Sequence, residues 1–481
     1  MKTSYINKYV EILEDEKFII KEEVIKIEIQ DRPKKKIGVM IVGLGGNNGS
    51  TLTASLIAYK NKVNWETKDG DCHVDFIGSL YEYGNINIGY KNNKPVTKFI
   101  KDMVPMISPD DLVIGGWDIC NDNLYIACKN NKVLEPTLLN KLKNDLEKII
   151  PMKSIYYESF IASNQKSRAN NTRKNPTKLE DFQSILEDIS LFKTKNNLEN
   201  VIIVWSGSTE KFTKEWNDVD EILDDLKNNS EYISPSVIFA MASTIYGSIF
   251  INTSPQNTIS PAILKLAKIN NTFACGSDLK SGQTKLKSVL VDYLVSSGLR
   301  PLSIVSYNHL GNRDGMNLDE APQFESKEKT KRNVIDDVID ENPNLFKGQR
   351  PNHSVVIKYI PAVGDSKRAI DEYFSELFLG GRNILSIYNL CEDSLLAVPI
   401  ILDIILFSEL FSRVKFILED GSSKTFDSNL SLLSFFFKAP TDTGREPVIN
   451  AFFKQLYGIK NFVKICNGIP VEDFMNLQLR I

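Results

Sequence analysis

Ile37-Gly38-Val39-Met40-Ile41-Val42-Gly43-Leu44-Gly45-Gly46-Asn47-Asn48-Gly49-Ser50 decides the fold: an unbroken apolar run stops abruptly in glycine and asparagine. A continuous run of this length suits a strand covered on both faces. The glycines permit a tight turn and close backbone approach, and a helix from Ser50 to about Tyr59 would aim its unpaired amides at a pyrophosphate. The spacing departs from GxGxxG, because Asn48 takes the sixth place and the next glycine is Gly49. Four glycines in seven positions where a strand meets a helix still read as dinucleotide binding, with Gly43, Gly45, Gly46, Asn47 and Asn48 as the loop. The acidic residue that should follow about 20 positions later to hold a ribose has no clean candidate, since Glu66, Asp69 and Asp71 all fall near the expected second strand.

The same punctuation recurs along the chain. Leu112 to Ile114 runs into GGWD, Val201 to Trp205 into SGSTE, Ser248 to Ile251 into NTSPQNT, and Thr272 to Cys275 into GSDLKSG. Between them lie amphipathic helices, one from about Thr137 with Leu138, Leu142, Leu146 and Ile149 on one face, another with Ser260 as N-cap and Pro261 at the first position. Strand, polar loop and helix in repetition predict an α/β parallel sheet with its ligands at the carboxyl ends of the strands. Beyond about residue 285 the texture changes. The patterns predict a helix over Thr284 to Val295, a strand over Leu302 to Tyr307 and a helix over Ser366 to Leu379 that buries Ile370, Tyr373, Phe374, Leu377 and Phe378. The apolar stretch from Leu395 to Phe407 is too short to span a bilayer and reads as a buried core helix. The last part of the chain reads as mainly helical, aromatic-rich packing material.

Composition sets the outer bounds. A chain of 481 residues has room for two or three domains. Its 58 basic and 61 acidic residues nearly cancel, which argues against nucleic acid as a partner and against a disordered polyelectrolyte. Six cysteines without CxxC spacing and three scattered histidines (His73, His309, His353) favour a reduced compartment over a zinc site. The first thirty residues include Lys8, Glu11, Glu14, Asp15, Glu16 and Lys17, with neither the apolar core of a signal peptide nor the composition of a transit peptide. A cytoplasmic protein with no membrane partner is expected.

Two groups point to chemistry. Ser281-Gly282-Gln283-Thr284 opens a helix and offers amides and hydroxyls to an anion, although a plain Ser281 N-cap explains it equally well. Lys327 and Lys331 share a face if their segment is helical, and Lys367 follows Gly364-Asp365-Ser366. Ammonium groups bind phosphate and can move protons when burial lowers their pKa, whereas the bland reading of ESKEKTKR (325–332) is a solvated charged helix. Ser163 to Asn175 likewise reads as a solvated loop.

At this point the sequence resembles the eukaryotic-type myo-inositol-1-phosphate synthases, also called inositol-3-phosphate synthases, over essentially its whole length. The resemblance is carried by GLGGNNGSTL (43–52), GGWDI (115–119), SIYYESFIASNQ (154–165), SPQNT (254–258) and SDLKSGQTKLKSVLVDYL (277–294). It continues through SIVSYNHLGNRDGMNL (303–318), SKE (326–328), VIKYIPAVGDSKRAIDEY (356–373), CEDSLLA (391–397) and KAP (438–440). What it implies is an α/β fold with a Rossmann-like NAD-binding domain (36–284), an inserted α+β catalytic and tetramerisation domain (285–396), and a central domain joining both termini (1–35 with 397–481). It implies an intramolecular lyase of the isomerase class that converts D-glucose 6-phosphate to 1D-myo-inositol 3-phosphate with internally recycled NAD, the first step of inositol biosynthesis, in a homotetramer. An inactive NAD-binding scaffold of the same fold is the alternative.

The resemblance also assigns residues. Lys327 and Lys438 are candidates for proton transfer and oxyanion stabilisation, and Lys331 and Lys367, with Ser281, Gly282, Gln283 and Thr284, for holding the phosphate. Asp278, Asn308, Asp314, Asp365 and Asp393 match positions that contact sugar hydroxyls or orient the lysines. Asp118 matches the adenosine side and Ser254 the nicotinamide end. Bland readings remain, with Asp118 and Asp393 each capping the helix that follows. VWSGSTEKF (204–212) departs from the family's LWTANTERF, yet Ser206, Gly207 and Ser208 stay small and polar. Glu325 stands where the family has arginine, and Tyr388-Asn389-Leu390 where it has HNT. A monovalent or divalent cation is compatible with this set, and no metal ligand is assigned.

Overall fold

The computed structural model describes residues 1–13, 17–92, 94–418, 421–425, 429–439 and 449–472. Two long strands, β1 (Lys2–Ile12) and β2 (Phe18–Ile29), come first, and the run quoted above is β3 (Ile37–Val42). Two small hairpins follow: β4 (Trp65–Thr67) with β5 (Gly70–Cys72), and β6 (Asn85–Lys91) with β7 (Lys94–Phe99). Next come β8 (Leu112–Asp118), β9 (Met152–Lys153), β10 (Val201–Trp205), β11 (Ile249–Asn252) and β12 (Ala274–Cys275). The later strands are β13 (Arg300–Leu310), β14 (Asn352–Tyr359), β15 (Ser366–Glu376), β16 (Arg382–Glu392), β17 (Val414–Ile417) and β18 (Ser423–Thr425).

The main sheet has the order β9-β8-β3-β10-β11-β12, and every pairing in it is parallel. Numbered within the sheet this is 3-2-1-4-5-6, the doubly wound order, and the direction of winding reverses between β3 and β10. Side-chain alternation explains the unbroken apolar runs. Val39, Ile41, Ile202 and Val204 enter a core with the helices Asn47–Lys60 and Asp393–Ser412. Met40, Val42, Ile203 and Trp205 enter a second core with the helices Lys178–Lys195 and Pro235–Ile245 on the opposite face. Both faces are covered, so both parities must be apolar.

The second strand of the unit is β8, which the chain reaches only after the two hairpins, so the expected place for the ribose acid moves from residues 66–71 to Asp118 at its end. Glu66 and Asp71 lie in β4 and β5, outside the main sheet. Gly116 makes the β3–β8 pairing possible, because a Cβ at its φ of +145° would sit 2.0 Å from the carbonyl oxygen of Ile41.

A second sheet, β14-β13-β15-β16, carries the middle of the chain, and its β15 corrects the helix expected over Ser366 to Leu379. The apolar residues there fit a helical spacing, but Ala369, Asp371, Tyr373 and Ser375 point inward and Arg368, Ile370 and Glu372 outward. A period of 2 was hidden because three of these four inward residues, Ala369, Asp371 and Ser375, are small or polar. A third sheet, β1-β2-β17-β18, joins chain segments from the two ends, so the C-terminal part holds strands as well as the expected helices. The apolar core helix runs Asp393–Ser412, is 20 residues long and is buried inside the protein. Asp403 is tolerated in it because its carboxylate accepts hydrogen bonds from Ser79 Oγ and from the amides of Leu80 and Tyr81 at the start of the short helix Leu80–Tyr83.

Candidate active site

The reversal between β3 and β10 opens a cleft of about 1180 Å³, mouth included. Its floor is the loop after β3. The Gly43 and Leu44 amides donate to Trp117 O at 2.8 and 3.0 Å, fixing the loop to the end of β8. At Gly49 a Cβ would meet the carbonyl oxygens of Gly43 and Leu44 at 2.6 and 2.7 Å, so only glycine lets the helix Asn47–Lys60 start this close to the loop. No side chain caps that helix at Gly46, which leaves its first amides for an anion.

Asp118 stands where a ribose diol would arrive. Its carboxylate accepts hydrogen bonds from the amides of Gly45 (2.8 Å) and Cys120 (2.9 Å), with Arg168 3.7 Å away. Capping of the next helix, Leu124–Asn131, falls to Asn123 instead. On the opposite wall are Trp205 to Thr209 and Thr253 to Pro255, tied together by Ser254 Oγ donating to Gly207 O at 3.0 Å. Trp205 Nε1 and Ser206 Oγ are buried on this wall without a hydrogen-bond partner within the protein, and the amide or ribose of a dinucleotide would satisfy them. The residues present therefore fit a dinucleotide.

The far end of the same cleft is ionic. Lys327 Nζ lies 2.9 to 3.0 Å from both carboxylate oxygens of Asp278 and 3.8 Å from Asp314, and Lys438 Nζ donates to Asp278 Oδ2. Lys367 Nζ is 3.5 Å from Asp393. Thr209 Oγ1 donates to Asp314 at 3.0 Å. A two-stranded clamp sets the central pair: Lys280 N donates to Phe436 O and Lys438 N to Asp278 O, each at 2.8 Å, around the isolated bridge between Leu279 and Phe437. Asp278 and Lys438, 160 residues apart, are neighbours because of it.

Lys327 comes from the helix Ala321–Arg332, whose inward face is Gln323, Ser326 and Lys327, while Lys329 faces solvent and pairs with Glu325. The charged segment is thus both a solvated helix and a site element, on different faces. Asp365 accepts from Asn47 Nδ2 (3.0 Å), Ser394 N (2.9 Å) and Ser394 Oγ (2.8 Å), so it links the dinucleotide loop to the start of the helix Asp393–Ser412. That capping leaves Asp393 to face Lys367.

Burial and charge act against each other at these groups. For Asp278, burial would raise the carboxyl, but Lys327 and Lys438 hold it well below the ordinary range. Burial would lower Lys327, yet Asp278 and Asp314, with Asp393 behind them, keep it above its ordinary value. Lys438 goes the other way. Burial, reinforced by the positive charges of Lys327 and Lys367, outweighs Asp278 and pulls it down to about 7. Asp393 is held low despite burial by Lys367, Lys327 and Lys438.

Of the residues singled out in the sequence, Gly43, Gly46, Asn47, Asn48, Asp118, Ser206, Ser254, Asp278, Ser281, Asp314, Lys327, Lys367, Asp393 and Lys438 all line this one cleft. Gly45 stands behind it through Asp118, and Asp365 through Asn47 and Ser394. Gln283 is turned into the second sheet, donating to Asp371 at 2.7 Å, and Asn308 donates to Val356 O at 3.2 Å. Neither they nor Gly282 and Thr284 belong to the cleft wall. Lys331 lies on the Lys327 helix, and its side chain falls outside the described residues. Sequence reasoning missed Arg168, read as part of a solvated loop, and Arg313, both on the cleft wall. It also missed Glu210, a fully buried carboxyl raised by burial to about 7 that accepts from Ser236 N and Oγ. A place inside the matched segment 303–318 was the available signal for Arg313, whereas Arg168 falls three residues beyond the matched segment 154–165. For Glu210 the signal was its place in VWSGSTEKF (204–212), where Thr209-Glu210 coincides with the TE of LWTANTERF.

Comparison with known proteins agrees with this geometry. Residues 37–464 match an NAD-binding family described as myo-inositol-1-phosphate synthase. An inositol-3-phosphate synthase of Brassica napus is 45% identical over 470 residues, covering 96% of this chain and 92% of that protein. Inositol-3-phosphate synthase 1-B of Xenopus laevis is 46% identical over 453 residues, covering 93% and 80%. The crystal structure of inositol-3-phosphate synthase from Caenorhabditis elegans superposes with a TM-score of 0.95 at 43% identity, over 99% of this chain and 95% of that one.

Proposed function

The chain belongs to the myo-inositol-1-phosphate synthase family, and from that premise we propose how its residues convert D-glucose 6-phosphate to 1D-myo-inositol 3-phosphate. It is an NAD-dependent intramolecular isomerase. NAD, when bound, supplies a hydride acceptor for C5 of the open-chain sugar and returns the hydride at the end, so the cofactor leaves as it came. The observation that carries the reading is the Lys327–Asp278–Lys438 cluster, in one cleft with the dinucleotide loop.

Lys438, drawn down to about 7, holds a free amine for a large fraction of the time at neutral pH and takes a proton from the reacting sugar. Lys327, held above its ordinary value, stays cationic and stabilises the enolate and alkoxide oxygens. Asp278 spaces the two ammonium groups. Lys367 and Lys331, with Ser281 at the start of the helix Gly282–Ser296, hold the phosphate, while Gly282, Gln283 and Thr284 build that helix end from behind the cleft wall; the end carries no side-chain cap, which favours an anion there. Asp314 and Asp393 meet sugar hydroxyls, and Asp365 fixes the start of the helix Asp393–Ser412 through Ser394; Asn308, bonded to Val356 O, stays behind the cleft wall. Gly43, Gly45, Gly46, Asn47 and Asn48 take the pyrophosphate, Asp118 the adenosine ribose, and Ser206 and Ser254 the nicotinamide end.

The proposal extends to the whole protein. The segments 36–284, 285–396, and 1–35 with 397–481 act as cofactor, catalytic and joining domains of a cytoplasmic homotetramer. Among the described residues no three His, Cys, Asp or Glu side chains are grouped to hold a metal ion, so an assisting cation would be carried largely by substrate oxygens, and chelation followed by add-back tests it. The deciding experiment is incubation of the purified protein with glucose 6-phosphate and NAD. Inositol phosphate formed without net NADH is expected; stoichiometric NADH without inositol phosphate would overturn the reading, and absence of any product would favour an inactive scaffold.

A further inference from the structure

Lys280 is 0% exposed, and among the described residues no carboxylate accepts from it. Its ammonium donates to the backbone oxygen of Asn450 (2.9 Å), to Asn450 Oδ1 and to Gln455 Oε1 (2.9 Å). Burying a cation on neutral acceptors alone is costly. What the arrangement provides is orientation. All three contacts of the Lys280 ammonium are oxygens, so it holds the oxygen of the Asn450 side-chain amide toward itself and turns the nitrogen the other way, although burial, opposed by Asp337, pulls its pKa down to about 7. That nitrogen donates to Lys438 O at 2.8 Å, twelve residues away in sequence. The Asn450 amide N–H in turn donates to Asp337 Oδ2 at 2.6 Å, at the helix Asp336–Asp340, so every polar group of Asn450 is engaged. Lys438 is therefore gripped at both ends of its backbone, its N–H by Asp278 O and its carbonyl by Asn450. Neither Lys280 nor Asn450 is on the cleft wall.

We propose that Asn450, oriented by Lys280, is a positioning residue for Lys438. The proposal rests on the reading of Lys438 as the proton-transfer group. Its consequence is that turnover depends on two residues that touch neither sugar nor cofactor, since displacing a reacting group by about 1 Å can cost on the order of 100-fold in rate.

Asn450→Asp tests it. This variant keeps an oxygen for Lys280, gains an ion pair that supports folding, and sets an oxygen against the Lys438 carbonyl in place of the donor. The expected result is a fall in kcat of about 10-fold or more, with KM for glucose 6-phosphate and Kd for NAD unchanged. The acid limb of the kcat profile should move to higher pH, because water reaching Lys438 relieves the burial that lowers it, leaving Asp278, Asp393, Lys327 and Lys367 as the charges facing it. Lys280→Met should produce the same pattern by freeing the amide to turn, and Lys280→Arg, which also only donates, should restore it. Wild-type kcat and pH profile in either folded loss variant would overturn the proposal, as would a loss of NAD affinity parallel to the loss of rate. Lys438→Ala separates the two levels: if it still turns over, the reading of Lys438 fails; if it is inactive while Asn450→Asp behaves as wild type, only the positioning proposal fails.

Discussion

Lys327 and Lys438 share one carboxylate, yet the acids around Lys327 hold it above its ordinary value while burial and its cationic neighbours pull Lys438 down to about 7. For Lys438→Ala we expect kcat to fall by about 10²- to 10⁴-fold, the range typical of losing a general base, while NAD titration stays close to wild type. In the unaltered enzyme kcat should rise as pH increases through about 7, because only the neutral amine accepts a proton. Lys438→Arg, always charged, should abolish both rate and limb. Asp278 makes a stability prediction. Its folded pKa is depressed, so its contribution is complete above the unfolded carboxyl value of about 3.9 and disappears as pH falls through the lower folded value. Asp278→Ala should cost about 3–5 kcal/mol in urea unfolding at neutral pH, as for breaking a buried ion pair, and its stability should fall less steeply in acid. Neither lysine was legible from spacing alone. The four-residue spacing offered Lys327 with Lys331, but polar residues at helical intervals also look like solvated surface, and only the resemblance to the family favoured a site over that reading; Lys329, two positions from Lys327, is on the exposed side.

Elements whose two faces both meet apolar partners were legible in the sequence, whereas those with a polar inner face were not. β3 and β10 are buried at every position, so their runs read directly as covered strands. β15 misled because Asp371 and Ser375 face inward, where Asp371 receives Gln283. Insertion misled in another way: two hairpins before β8 moved the ribose acid out of its customary interval without changing its place in the sheet. The apolar helix Asp393–Ser412 carries its own test. Asp403→Ala would leave the amides of Leu80 and Tyr81 without their acceptor and should cost about 1–3 kcal/mol. Burial raises the Asp403 carboxyl to about 6, so the folded state binds its proton first, and this residue adds stability as pH falls from about 6 toward the unfolded value near 3.9. Unfolding midpoints compared at pH values across that window should show the gain in wild type and its loss in the variant.

At the scale of the molecule, one face of the β14-β13-β15-β16 sheet is not covered by any of the described residues. Tyr307, Ile370 and Tyr388 form a cross-strand row there, and Ile384 (56% exposed), Tyr388 (60%) and Leu390 (52%) continue it along β16. Apolar surface of this kind marks an association site, consistent with the proposed tetramer. Replacing Tyr388 with Glu and Leu390 with Lys together should yield smaller species by light scattering, while an unchanged mass would place the subunit contact elsewhere. The clamp of residues 277–280 on 436–439 has a consequence for the order in which the protein is made. All six strands of the dinucleotide sheet lie before residue 276, and Lys438 leaves the ribosome long after them, by on the order of 8–30 s at common synthesis rates. One face of that sheet is nevertheless closed only when the helix Asp393–Ser412 arrives, so the cofactor fold is completed shortly before Lys438 emerges, and the dinucleotide site and the proton-transfer lysine mature nearly together. Refolding followed by NAD fluorescence and by product formation should show the two signals rising together.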